Sequence, residues 1–383
     1  MSVWDELLGQ PEAIASLQKA LGEKSTGMHH AWLFTGPAGS GRSLMAISFA
    51  AALQCEKNGC GDCQQCKLAM AGAHPDVNRL ATERVQISID EVRDLVAKST
   101  MSSSVGEYRI AIIEDADRMT ERTSNVLLKA LEEPEAKTIW MLCAPSVADL
   151  LPTIRSRTRN VVLRMPSEEE VAQLLIQRDG VDLETARSAA RQAQNHVGMA
   201  RRLALSSESR ARRSETLREI LGISNLSKAI VAASHLLEVA KKDAAAMAEE
   251  RDGLERDNLL KAYGLSPEDK LPPNLRTEFK NLEENQKRRN TRALRDGIDR
   301  ILTDAESLFR DVLALQLGAG VDLINPDFQD ALVERANRAN ATQTIQVLDA
   351  ITEARLRLAA NVRDLLVLEA LCTRFIPRGE IAA

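Results

Sequence analysis

The chain has 383 residues, of which 44% are apolar, 27% charged and only 3% aromatic, and its formal net charge is −5. That length predicts two or three domains with sizeable cores. The acidic balance excludes a protein that grips nucleic acid over its whole surface, and the scarcity of rings excludes a stacking platform for single strands. The opening residues, Met1-Ser2-Val3-Trp4-Asp5, turn acidic at once and lack the apolar run of a signal peptide. No apolar stretch approaches membrane-spanning length. The expected setting is the cytoplasm, with no membrane partner and with thiols kept reduced.

Short apolar runs alternate with helical patterns through the first part of the chain. Ala31 to Thr35, Ile110 to Ile113 and Thr138 to Cys143 read as buried strands, with Asp76 to Leu80 and Asn160 to Leu163 as a fourth and fifth. Strands separated by helices predict a parallel sheet of α/β type. Ser88 and Glu91 fit a capping box ahead of Val92, Leu95 and Val96, and Ser167 and Glu170 fit a second ahead of Val171 and Leu174. After Met165-Pro166 the pattern turns helical. The expected division is a nucleotide-binding domain over 1–165, a small helical domain over 166–208 and an all-α domain over 209–383. The last contains a densely charged stretch, 241–292, that reads as solvated helices joined by a polar loop.

Between the first strand and the first long helix lies Gly36-Pro37-Ala38-Gly39-Ser40-Gly41-Arg42-Ser43. Strand, glycine-rich turn and helix form the setting in which a phosphate loop works. The glycines let main-chain N–H groups turn inward, and the helix adds its positive end. Ser43 occupies the position of a Mg2+-binding hydroxyl. Arg42, however, stands where an ATPase carries lysine. A flat guanidinium does not replace a compact ammonium at a fitted site. The end of the Ile110–Ile113 strand departs in the same direction. A hydrolytic site wants aspartate near the metal and then glutamate to orient water, whereas this chain has Glu114 and then Asp115. ATP with Mg2+ is therefore expected to bind weakly or not at all, through Gly36, Gly39, Gly41, Arg42, Ser43, Glu114 and Asp115, and hydrolysis is not expected.

Cys55, Cys60, Cys63 and Cys66 are four of six cysteines and fall within twelve residues. Four closely spaced thiolates suit a closed tetrahedral Zn2+ site of structural type. Cys55 is the outlying ligand. Cys143 and Cys372 read as buried apolar residues, and His74 reads as local structure or a spare ligand.

Several of these stretches resemble the AAA+ clamp-loader subunits of bacterial DNA polymerase III. Leu8-Gly9-Gln10 resembles the box lining that family's adenine pocket, and His29 to Gly36 resembles its entry into the phosphate loop. Ser124 to Pro134 resembles the specific signature N-x-L-L-K-x-L-E-E-P. Leu151 to Thr158 resembles the stretch ending in Ser-Arg-Cys, with Thr158 where the family has cysteine. Gly198-Met199-Ala200-Arg201 resembles sensor 2. The likeness is dense from Val3 to Leu205 and thin beyond. It also supports the zinc assignment, although the family's first cysteine gap is longer.

The resemblance implies an AAA+ domain, a helical lid and a helical collar. It implies a hetero-pentameric ring with ATPase subunits of the tau/gamma kind and a delta subunit, acting on a sliding clamp and primed DNA. It implies that Arg157 is an arginine finger reaching a neighbour's ATP, an effect of about 10³–10⁵ in rate, and that Arg201 faces the chain's own nucleotide or serves only structure. The expected role is a stator that does not itself hydrolyse ATP. The rivals are an active loader ATPase and a zinc-dependent nucleic-acid-binding module. Arg42 speaks against the first, and the acidic charge against the second.

Overall fold

The computed structural model describes residues 2–5, 7–22, 28–82, 86–262 and 276–377, with backbone alone over 246–262 and 276–292. It divides into two compact units, Met1–Leu205 and Ser206–Ala383. The charged stretch therefore falls, from 246 onward, outside the residues whose side chains are described.

In the first unit α1 (Pro11–Gly22) leads to β1 (Ala31–Thr35), followed by α2 (Arg42–Gln54) and α3 (Gln64–Met70). Next come β2 (Val77–Leu80), α4 (Ile89–Ser99), β3 (Arg109–Ile113), α5 (Glu121–Glu132), β4 (Thr138–Ala144), the short α6 (Pro152–Arg155) and β5 (Arg159–Val162). The five strands form one sheet in the order β2-β3-β4-β1-β5. All four pairings are parallel. Every residue of β1, β3 and β4 is buried. That is why these runs are continuously apolar, since parallel strands are covered on both faces.

Alternation along the strands divides the core in two. Trp32, Phe34, Ile110, Ile112, Ile139 and Met141 face α2, with Phe49 and Leu53 packed among them. Leu33, Ala111, Ile113, Trp140 and Leu142 face the other way, onto Val92, Leu127 and Ile154. The last three helices of the unit, α7 (Glu168–Asp179), α8 (Leu183–Gln192) and α9 (Val197–Leu205), bury Val171, Leu175, Ala186, Ala190 and Leu203 in a small core of their own. Ser88 and Glu91 cap α4 reciprocally, as Ser167 and Glu170 cap α7.

The described part of the second unit is all helical: α10 (Ser207–Gly222), α11 (Leu226–Ala262), α12 (Arg276–Leu317), α13 (Gln329–Asn337), α14 (Ala341–Ala359) and α15 (Asp364–Arg374). Its core gathers Leu217, Leu236, Ile298, Leu302, Leu308, Ile351 and Leu371. Phe309 and Phe375 pack within it, their rings tilted by 34° and their centres 5.0 Å apart. Among the described residues no helix is long and apolar enough to cross a membrane.

Candidate functional site

The phosphate loop joins the end of β1, the middle-right strand of the sheet, to the N-terminus of α2. Parallel strands all end on this side, so the carboxyl end of β3 brings Glu114 and Asp115 to the same place. Ser43 Oγ donates to Glu114 Oε2 at 2.9 Å. The other carboxylate oxygen of Glu114 is taken by Arg79, from the neighbouring edge strand β2. Arg42 Nη1 donates to the main-chain oxygen of Gly36, 2.9 Å away, and its Nη2 lies 4.0 Å from Asp115. The Arg42 guanidinium is thus turned onto its own loop, with Asp115 at the outer edge of ion-pair distance. Asp115 adopts a left-handed backbone, φ 48°, a conformation that aspartate and asparagine take more readily than other non-glycine residues.

The start of α9 closes over the loop. A methyl group at position 39 would sit 2.7 Å from Cγ of His196, so only glycine, here at φ 86°, lets the two approach. Burial holds the His196 imidazole below its usual pKa, favouring the neutral ring. Gln10 ties the entry segment to the same spot. Its Nε2 donates to Ser40 O at 3.2 Å and to Arg164 O at 2.6 Å, and its Oε1 accepts from Arg164 N at 3.1 Å. Gln10 is therefore a strut between the loop and the hinge before α7. Arg201 Nε donates to Asp179 at 2.9 Å, joining α9 to α7.

Arg157 follows α6 and is held back against its own chain. Nη2 lies 2.6 Å from Glu132 Oε1, and Nη1 donates to Thr153 O at 2.7 Å and Ser156 Oγ at 3.1 Å. Thr158 bonds the carbonyls of Ile154 and Arg155, closing the short helix.

The four clustered cysteines converge. Their Sγ atoms all lie within 4.8 Å of one another, a set that can hold one metal ion. Cys55, the outlying one in sequence, is central in space, 3.7 Å from both Cys60 and Cys63. Burial works against a thiolate at Cys55, but N–H groups of Cys60, Gly59 and Lys57 outweigh it and draw its pKa down to about 6. N–H groups of Cys63 and Asp62 draw Cys60 down as well, whereas burial pushes Cys66 up. The loop between Cys55 and Cys60 carries the N-terminus. Ser2 Oγ and Val3 N donate to Gly59 O, and Trp4 Nε1 donates to Asn58 O at 3.1 Å. His74 serves local structure, bonding Gln65 and accepting from Asp76 N. Cys143 and Cys372 are buried, and burial pushes both thiols up, Cys372 to about 12.

Residues 9–167 match the family described as DNA polymerase III, delta subunit. The DNA polymerase III subunit delta' of Pseudomonas aeruginosa is 40% identical over 134 residues, 33% of this chain and 41% of that protein. The delta' subunit of Escherichia coli is 34% identical over 147 residues, 37% of this chain and 44% of that protein. This N-terminal region is similar to the DNA polymerase III delta' subunits. The Mycobacterium tuberculosis gamma/tau subunit stands further off, at 30% over 165 residues, 42% of this chain and 28% of that protein. The chain spans less than half the length of the delta' relatives it matches. Within the delta' match lie the phosphate loop, Glu114, Asp115, the four clustered cysteines and Arg157; Arg201 and the second unit lie beyond it.

Glu132, His196, Arg79 and the contacts of Ser2 to Trp4 were not singled out by sequence. Glu132 alone carried a signal, as part of the N-x-L-L-K-x-L-E-E-P signature.

Proposed function

We propose that the chain is the stator of a DNA polymerase III clamp loader, a delta' subunit that does not hydrolyse ATP and lends Arg157 to an adjacent ATPase. One contrast carries this reading. The chain's own phosphate loop is occupied by Arg42, bonded to Gly36, whereas Arg157 stands on a short, buried-anchored platform with its side chain about one-third exposed. The Arg42 guanidinium is turned onto its own loop, and its flat fork is a poor substitute for the ammonium on whose placement at the γ-phosphate phosphoryl transfer depends. A guanidinium at the surface can serve a nucleotide held elsewhere.

In this reading the partners are tau/gamma-type ATPases and a delta subunit in a ring of five, acting on a sliding clamp and primed DNA. Residues 166–208 form the lid and 209–383 the collar that binds the ring together. Cys55, Cys60, Cys63 and Cys66 hold structural Zn2+. Tetrahedral thiolates about 2.3 Å from zinc lie roughly 3.8 Å apart, close to the 3.7 Å separations of Cys55 from Cys60 and Cys63. Four protein ligands leave no open position for chemistry. Own-site nucleotide is weak or absent.

The test is mixed reconstitution with the ATPase and delta subunits. Arg157→Ala should slow ATP turnover by the complex by at least an order of magnitude, while Arg42→Ala leaves it within about twofold. Undiminished turnover with Arg157→Ala would remove the finger role.

A further inference from the structure

The contact between Arg157 and Glu132 has a geometry of its own. The two residues lie in Ser124–Pro134 and Leu151–Thr158 and stand 25 positions apart in sequence. Both backbones are fixed. Leu131, beside Glu132, is fully buried, and its carbonyl accepts from His30 Nε2 at 2.9 Å, tying the end of α5 to the start of β1. Ile154, one turn before Arg157, is fully buried in the same core as Leu131.

The place where Arg157 rests is electrically unusual. Glu132 is the last residue of α5 and Glu133 its C-cap. Carboxylates at a helix C-terminus oppose the negative end of the helix dipole. Their cost there is relieved by a cation, and Arg157 supplies it, adding bonds to Thr153 O and Ser156 Oγ. A helix-stabilising reason for Glu132 is therefore lacking, but a reason connected with Arg157 is present.

We propose that Glu132 is a positioning residue that keeps Arg157 retracted until a neighbour's phosphates compete for it. This rests on the stator reading above. The strengths of the rival sites fit such an exchange. A half-exposed ion pair is worth up to about 1 kcal/mol, or roughly fivefold, so it holds the guanidinium without trapping it. A triphosphate offers several charges and bidentate acceptors and wins once it is within reach. Before the ring has closed on its substrate, retraction keeps the finger out of the neighbour's site and holds turnover down.

The experiment compares Glu132→Gln, Arg157→Ala and the unaltered chain, each reconstituted with the ATPase and delta subunits. ATP turnover is measured without and with clamp and primed DNA. Glu132→Gln removes the charge while keeping the shape. It should raise kcat without clamp and DNA by about two- to fivefold, leave KM for ATP unchanged and leave the stimulated rate unaltered. A melting point equal to that of the unaltered chain excludes a change in folding as the cause. An unchanged unstimulated rate, or a fall in both rates, overturns the proposal. If Arg157→Ala fails to slow turnover, the finger and its restraint both fall. If Arg157→Ala slows it and Glu132→Gln does nothing, only the restraint falls.

Discussion

Arg42 donates to the main-chain oxygen of Gly36, 2.9 Å away in the same loop. The other terminal nitrogen of the same guanidinium lies 4.0 Å from Asp115. A guanidinium has donors enough to bond a carbonyl and face a carboxylate together, whereas an ammonium on a flexible stem is not committed to either. Arg42→Lys should therefore reopen the loop. A hydrogen bond from a charged donor contributes about 1.5–3 kcal/mol, so the variant should bind ATP about tenfold more tightly than the unaltered chain, as read by calorimetry. Phosphate release should stay at background for both, because Glu114 and Asp115 remain reversed. Equal affinities would mean that Arg42 is not what closes the site.

The cysteine cluster and the N-terminal residues are coupled by three hydrogen bonds onto Asn58 and Gly59, from Ser2, Val3 and Trp4. Gly59 has φ 102°, and a methyl group there would lie 2.6 Å from Val3 Cγ2, so the loop and the N-terminal residues fit without spare room. Cys55 and Cys60 hold the two ends of that loop. Stripping the proposed Zn2+ with a chelator should release the amide of Val3 to rapid hydrogen exchange and shift Trp4 fluorescence to the red. Amides of β1, β3 and β4, buried on both faces, should stay protected. Loss of protection everywhere at once would show instead that the metal holds the whole unit.

The sheet was legible in the sequence because each central strand is buried on both faces and so reads as an unbroken apolar run. Ala31–Thr35 and Thr138–Ala144 are the clearest cases. The caps at Ser88 and Ser167 were legible because both partners lie three residues apart. The site was legible only as far as its motifs. Its residue types could be named, but not which of them bond one another. Glu132 meets Arg157, His196 covers Gly39 and Gln10 reaches Arg164 across separations that no local pattern encodes. Arg201 shows the opposite limit. Its motif position suggested a role toward nucleotide or in structure alone, and gave no hint of its bond to Asp179.

Asp76 is fully buried between the sheet and the loop after α4. It accepts from the N–H groups of Ser104, Val105 and Gly106 and from Ser104 Oγ, at 2.7–2.9 Å, and lies 3.3 Å from Arg109. Burial opposes its charge, but the N–H bonds from Gly106, Ser104 and Val105 outweigh burial and hold the pKa at about 2. A carboxylate depressed on folding contributes stability that is full above its unfolded pKa of about 3.9 and disappears as pH falls through the folded value. The first unit should thus lose about 2 kcal/mol between roughly pH 5 and pH 2 through this group. Asp76→Asn should cost a similar amount at pH 7 and flatten that part of the acid limb. An unflattened limb in denaturant melts would assign the acid loss to other carboxylates.

The second unit depends on a buried polar knot whose hub is Arg213. Nε donates to Asp304 at 2.8 Å and Nη2 to Asn325 Oδ1 at 2.6 Å, while Asn325 Nδ2 donates to Asp311 at 2.9 Å. The knot fastens the segment before α13 to α10 and α12. Burial pushes Asp304 up to about 6, with Arg213 opposing the rise. A carboxyl raised on folding is best tolerated protonated, so its cost grows as pH climbs from about 4 through 6. Arg213→Ala removes the counter-charge and leaves Asn325 and Asp304 short of a donor. The expected loss is about 3–5 kcal/mol, larger at pH 7 than at pH 5, where Asp304 is mostly neutral. Denaturant melts of the variant at the two pH values measure this directly. Equal losses would mean that Arg213 holds the second unit by packing and hydrogen bonding, with its charge playing no part.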